Sequence, residues 1–247
     1  MYWKTAMNIR NVLFRVLGPV RARVMRVMRP KTGYFLFPVP ARRLDPISSK
    51  FGYDRGTPVD RYYIETFLDR VKGDIRGRCL EVTDSAYTKR FGEGRVTESA
   101  VVDIDSKNPE ATIVADLRDM KSVASDTFDT IIATHTFGVI DDFESAIREC
   151  ARVLKPGGTL LATVSSLGVA ADPELAYWRF TKASARYVFG KYFDQETLDV
   201  STLGNVLSGQ AFWVGLAAEE LSKDELSFVD ERYPIIVCIR AKKCVRK

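Results

Sequence analysis

The chain has 247 residues, 46% of them apolar, with four cysteines, one histidine and a formal net charge of +5; that is enough for one well-buried domain plus an appendage. No apolar run approaches the roughly 20 residues that cross a bilayer. The cysteines (Cys79, Cys150, Cys238, Cys244) form no C-x-x-C pair and His135 has no ligand partner near it in the sequence, so no metal site is expected and the thiols read as packing groups in a reducing, cytoplasmic setting.

The charge is unevenly placed. Residues 1–44 hold ten basic side chains and no acidic one, which leaves the remainder acidic by five. A body that bound nucleic acid would carry its positive charge on the folded domain, so no nucleic-acid partner is expected. Within the arm, Ile9, Val12, Leu13, Val16, Leu17 and Val20 recur at helical spacing, and Val24, Val27 and Met28 continue it after Gly18-Pro19. Residues 1–45 therefore read as a basic amphipathic arm and linker. Such an arm packs on the body or on a second subunit, or lies peripherally on an anionic membrane, where each Arg or Lys contributes about 1 kcal/mol.

A second domain unit is expected over residues 46–247. The first part of it, rich in proline, glycine and aromatics, reads as an ordered linker. "TPVDRYYIETFLDRV" starts a helix with Thr57 as cap, Pro58 in the first turn and Tyr63, Phe67 and Val71 along one side. Four short apolar runs follow, "GRCLEVT", "AVVDIDS", "ATIVADL" and "FDTIIATHTF". Their continuous apolar character is that of strands buried on both faces of a parallel sheet. "DDFESAIRECARVLKPGG" is a helix with Phe143, Ala146, Ile147, Cys150, Val153 and Leu154 on one face, stopped by Lys155-Pro156-Gly157-Gly158; "TLLATVSS" is the fifth strand. Farther on, "ELAYWRFTKASARYVFGKYF" reads as a helix reached through a loop. "LGNVLSGQAFWVGLAAEEL" begins near a strand and becomes a helix, and "YPIIVCIRAKK" is the last strand. Strands alternating with helices give an α/β, doubly wound, mostly parallel seven-stranded sheet.

The stretch "FDTIIATHTFGVIDDFESAIRECARVLKPGGTLLATV" resembles the fourth strand, following helix and fifth strand of class I S-adenosylmethionine-dependent methyltransferases. With "FGYDRGTPVDRYYIETFL", "GRCLEVTDSAYTKRFG" and "AYWRFT", it is similar to a divergent branch associated with glycan or natural-product biosynthesis. The resemblance implies a Rossmann-like fold, S-adenosylmethionine as cofactor, a small-molecule substrate and methyl transfer to a hydroxyl of a saccharide or natural product. It also implies a ligand lying over the carboxyl ends of the strands, where their order reverses.

One departure stands out. The first loop of that family follows E/D-x-G-x-G-x-G, whereas here "EVTDSAYT" keeps Glu81 and puts Thr83, Ser85 and Tyr87 at the glycine positions. Two outcomes follow: the hydroxyls hydrogen-bond the amino-acid end of the cofactor from a remodelled loop flanked by Tyr87, or the loop fills the pocket. The second outcome would make the protein a non-methylating member of the fold, a recruited cyclase or a pathway-associated binding subunit. The resemblance places Asp105 on the ribose hydroxyls, with Asp103 as its alternative and a helix cap as its plain structural role. Asp116 and Leu117 are placed at adenine, though Asp116 also suits a turn. Thr134 and His135 end the fourth strand beneath the sulfonium, and His135 is the candidate catalytic base, or else a neutral histidine beside the pocket. Acceptor recognition is expected from Tyr177, Trp178 and Arg179 on one side and from Tyr53, Arg61 and Tyr62 on the other, with salt bridges pinning the linker as the plainer role of that second segment.

Overall fold

A computed structural model of the chain describes residues 44–168 and 172–245. The basic arm lies outside the described residues but for Leu44 and Asp45. The described chain divides into two compact units, one made of residues up to 63 together with 204–233, the other of residues 64–203 and 234 onward.

The second unit holds the sheet. Its strands are β1 (Gly77–Val82), β2 (Val96–Asp103), β3 (Ile113–Val114), β4 (Phe128–Thr134), β5 (Leu154–Ser165), β6 (Asp199–Leu203) and β7 (Ile236–Lys242), in the spatial order β3-β2-β1-β4-β5-β7-β6. Pairing from β3 through β5 is parallel, and β7 runs antiparallel between β5 and β6. Order therefore reverses between β1 and β4, which opens a crevice at the carboxyl ends of those strands. One face of the sheet presents Leu80, Val102, Ile131, Leu160, Val237 and Ile239 to a core shared with helices Phe143–Val153 and Lys182–Phe189. The alternate residues Cys79, Val101, Ile132, Leu161 and Cys238 are equally buried, so the strands are covered on both faces, as their unbroken apolar runs require. The thiols of Cys150 and Cys238 are pushed up to about 12 by burial.

Helices in chain order are α1 (Val59–Val71), α2 (Ala86–Gly92), α3 (Phe143–Val153), α4 (Lys182–Phe189), α5 (Val206–Val214) and α6 (Lys223–Ser227). Tyr63, Phe67 and Val71 of α1 are buried as expected. Ahead of it, the Thr57 hydroxyl and backbone N–H both donate to Glu219. Lys155-Pro156-Gly157-Gly158 is not the stop of α3. That helix ends at Val153, and strand β5 already begins at Leu154, opposite Phe128, before the register shifts and Thr130 meets Thr159. Lys155 donates to Asp129 at 2.8 Å instead of closing a helix, and a side chain at Gly158 would meet the Lys155 carbonyl oxygen at 2.9 Å.

In the first unit, α5 is capped by Asn205 and closed by Gly215 at φ +73. Arg55 pairs with Glu220 and Ser48 donates to Asp54, the plainer structural role expected of that segment.

Candidate functional site

The carboxyl ends of β1, β2 and β3 surround a cavity of about 400 Å3, within the usual range for a small-molecule pocket. Its apolar wall comes from Val82, Val102, Ile104, Ala115, Leu117, Val139 and Ile140, and its polar groups are Thr83, Asp103, Asp116, Arg118, Thr136 and Asp141, with Leu175 and Tyr177 at one side.

The glycine-free loop leaves this cavity open. Thr83 adopts φ +75, the left-handed region that a glycine would take at no cost. Its N–H donates to the Val102 carbonyl at 3.0 Å, which ties the turn to β2. The other replacements turn away. Glu81 is 3% exposed; its two carboxylate oxygens accept from the Tyr87 and Thr88 backbone N–H groups at 3.0 and 2.7 Å and so hold the first turn of α2. Burial pushes the Glu81 carboxyl up. Ser85 is buried and donates to Glu110 at 3.3 Å, and the buried Tyr87 ring packs on Phe91 with centroids 6.1 Å apart. Of the four residues expected to contact a ligand from this loop, only Thr83 stands on the cavity wall.

Beyond β2 the structure puts Asp103 on the wall in place of Asp105. Asp105 is exposed and accepts from the Lys107 N–H at 2.9 Å, which is turn work. Asp103, half-buried, accepts from the Asp105 N–H at 2.9 Å and from the Asn108 side-chain amide at 2.7 Å. The alternation that parts the two carboxylates was legible in the sequence, but not which of them faces the cavity. Past β3, Asp116 and Leu117 stand on the wall. Arg118, not foreseen, chelates the Asp116 carboxylate through its Nε and Nη2, the latter at 2.6 Å, and reaches Asp141 with its Nη1 at 2.6 Å. The guanidinium holds the Asp116 carboxyl below the usual carboxylate range.

Thr134 pairs with Thr163 of β5, and neither it nor His135 reaches the cavity wall; Thr136 does. His135 takes a left-handed φ of +53, donates its backbone N–H to the Thr163 carbonyl at 2.8 Å and sets its Nδ1 3.0 Å from the Ser165 hydroxyl, with Nε2 buried. That single left-handed residue ends the strand's alternation, so the residue after the histidine is the one that faces the ligand side.

In the segment after β5, Tyr177 reaches the cavity wall whereas Trp178 and Arg179 do not. The Trp178 indole N–H donates to the Asp141 carbonyl at 3.0 Å, and its ring meets Phe143 edge-on, which fixes the loop that carries Tyr177. Tyr53, Arg61 and Tyr62 belong to the other unit. Ile104, Val139, Ile140 and Leu175 were missed because an isolated apolar residue after a strand carries no sequence signal apart from core packing.

Residues 81–162 match the family model described as a methyltransferase domain. Among solved structures, the chain is similar to a SAM-dependent methyltransferase from Archaeoglobus fulgidus at 14% identity, with 74% of this chain and 94% of that one covered and a TM-score of 0.52. It is similar to a SAM-dependent methyltransferase from Thermotoga maritima at 20% identity, covering 75% and 91%, with a TM-score of 0.51. It is also similar to the [4+2]-cyclase SpnF at 15% identity, covering 78% and 85%, with a TM-score of 0.51. No curated protein matches the sequence. The fold is the Rossmann-like one of the class I methyltransferases.

Proposed function

We propose that this protein uses S-adenosylmethionine to methylate a small molecule, a hydroxyl of a saccharide or natural product. The observation that carries the reading is the open cavity at the switch point, with Asp103, Asp116 and Leu117 on its wall and Tyr87 folded away from it. The acceptor groups on the wall suit a nucleoside. A carboxylate such as Asp103 accepts from ribose hydroxyls, Asp116 accepts from an exocyclic amine, and Ile104 and Leu117 offer apolar faces to a purine.

When bound, the cofactor would supply a methyl carbon already activated by its sulfonium, so the protein's work is alignment, and the acceptor hydroxyl's proton passes to solvent as the carbon–oxygen bond forms and the carbon–sulfur bond breaks. Asp103 and Thr83 fix the nucleoside and the turn beside it. Arg118 keeps Asp116 ionised and oriented. Tyr177, half exposed, and the apolar Val139, Ile140 and Leu175 line the side where an acceptor ring enters. His135 acts from behind this wall as a support for the β4–β5 end, and no proton is routed through it.

Calorimetry of the full chain with S-adenosylhomocysteine tests the reading: saturable heat is expected, and its absence at millimolar ligand would remove the proposal. A second reading, a non-methylating member of the fold, rests on the glycine-free loop. Thr83→Gly separates the two. Because Thr83 already has the glycine-like backbone, the substitution should change affinity by less than about threefold, under about 0.7 kcal/mol. A much larger gain would mean that the natural loop has given up the cofactor.

A further inference from the structure

The loop that lost its glycines and the carboxylate that replaced the expected one are joined by one side chain. Asn108 donates both amide hydrogens, one to the Thr83 carbonyl at 2.6 Å and one to the Asp103 carboxylate at 2.7 Å. Its orientation is fixed by chemistry, because its oxygen accepts from the Glu110 N–H at 3.0 Å. A flipped amide would set two donors against each other there and set its oxygen against two acceptors on the other side. The same segment makes a second tie, with Glu110 accepting from Ser85. Thr83 and Asp103 are both cavity-wall residues, whereas Asn108 is not.

We infer that Asn108 is a positioning residue, an amide clamp that holds the strained Thr83 turn clear of the cavity and sets Asp103 for a ribose. This rests on the nucleoside reading of the cavity. Where glycines would let the backbone turn freely, a left-handed threonine needs its carbonyl held from outside, and Asn108 supplies the hold from the β2 side. A carboxylate with one oxygen on a backbone N–H and the other on an amide donor has a fixed plane and unused lone pairs for a ligand.

The experiment compares S-adenosylhomocysteine binding by the full chain and by Asn108→Ala and Asn108→Asp between pH 5 and pH 8. Asn108→Ala should weaken binding by about tenfold or more, the loss of one or two hydrogen bonds to a charged or strained partner. Asn108→Asp sets a second carboxylate against Asp103, so one of the two takes up a proton well above the ordinary range. Its binding should therefore be nearly lost at pH 8 and recover at pH 5, while the parent protein varies little. Hydrogen exchange without ligand gives an independent reading: the Ser85–Thr88 amides should exchange at least about tenfold faster in Asn108→Ala. Binding within twofold of the parent in both variants, a deficit in Asn108→Asp that ignores pH, or unchanged exchange overturns the inference. A parent protein that binds no S-adenosylhomocysteine overturns the nucleoside reading instead, and the clamp is then judged on exchange alone.

Discussion

Thr83 is a β-branched residue at φ +75, a conformation that costs an L-residue about 1–2 kcal/mol. Replacing it with glycine relieves that strain but adds roughly 0.5–1 kcal/mol of unfolded-state entropy. Thr83→Gly should thus leave the protein equal or more stable by up to about 1.5 kcal/mol, read as an unchanged or raised denaturant midpoint; a clear loss would show the threonine hydroxyl bonding something essential. The two aspartates beyond β2 give a sharper contrast. Asp103→Asn should cut S-adenosylhomocysteine affinity by about ten- to a hundredfold, the span of a hydrogen bond to a charged group. Asp105→Asn, altering an exposed turn carboxylate, should stay within about twofold, under about 0.5 kcal/mol. At this scale the sequence was half legible. It showed two carboxylates of opposite facing but could not orient them, because the facing is set by where β2 ends and by Asn108 reaching back from the next turn.

The clearest signature in the sequence, Phe128-Asp129 and Lys155-Pro156-Gly157-Gly158, turns out to be a scaffold device. Asp129 accepts from Lys155 Nζ and from the Arg78 N–H, both at 2.8 Å, at the amino end of β4, away from the cavity. Gly158 sits where a side chain would meet the Lys155 and Asp129 carbonyl oxygens at 2.9 and 3.1 Å. Gly158→Ala should therefore destabilise the fold by about 1–3 kcal/mol through overpacking, seen as a lowered denaturant midpoint, without a specific loss of ligand affinity per folded molecule. This explains why the fold was read from the sequence far better than the site. The motif that marks the fold answers to packing and strand register, which repeat wherever the sheet is built. The cavity wall is assembled from residues at or just beyond the ends of five different strands, whose side chains are aimed by local turns such as the left-handed His135. The same limit misplaced the stop of α3, since a Lys-Pro-Gly-Gly run serves a bulged strand start as well as a helix end.

For the molecule as a whole, the titrating groups predict acid sensitivity. Arg118 holds the Asp116 carboxyl low, Ser145 does so for Asp142 and Arg152 for Glu149. Each has a folded-state pKa below its unfolded value, so each adds stability that is present above about pH 4 and is lost as pH falls through the folded value. Glu81, raised by burial, has the opposite sign and opposes folding as it ionises, but it is one group against several. The melting temperature should hold steady near neutrality and drop steeply below about pH 4; a protein that keeps its melting temperature at pH 3 would contradict these carboxylate contacts. Among the described residues no helix is long and apolar enough to cross a membrane, and a membrane contact through the basic arm, residues 1–45, is a proposal to be tested by flotation of the full chain with anionic vesicles.

The account stands on a nucleoside held by the carboxylate at the end of β2, and one measurement addresses that directly, a co-crystal structure of the full chain with S-adenosylhomocysteine. The ribose hydroxyls should lie within hydrogen-bonding distance of Asp103, with the purine between Ile104 and Leu117 and its amine toward Asp116. A ligand bound elsewhere, or a Thr83–Tyr87 turn collapsed across the cavity, would contradict it.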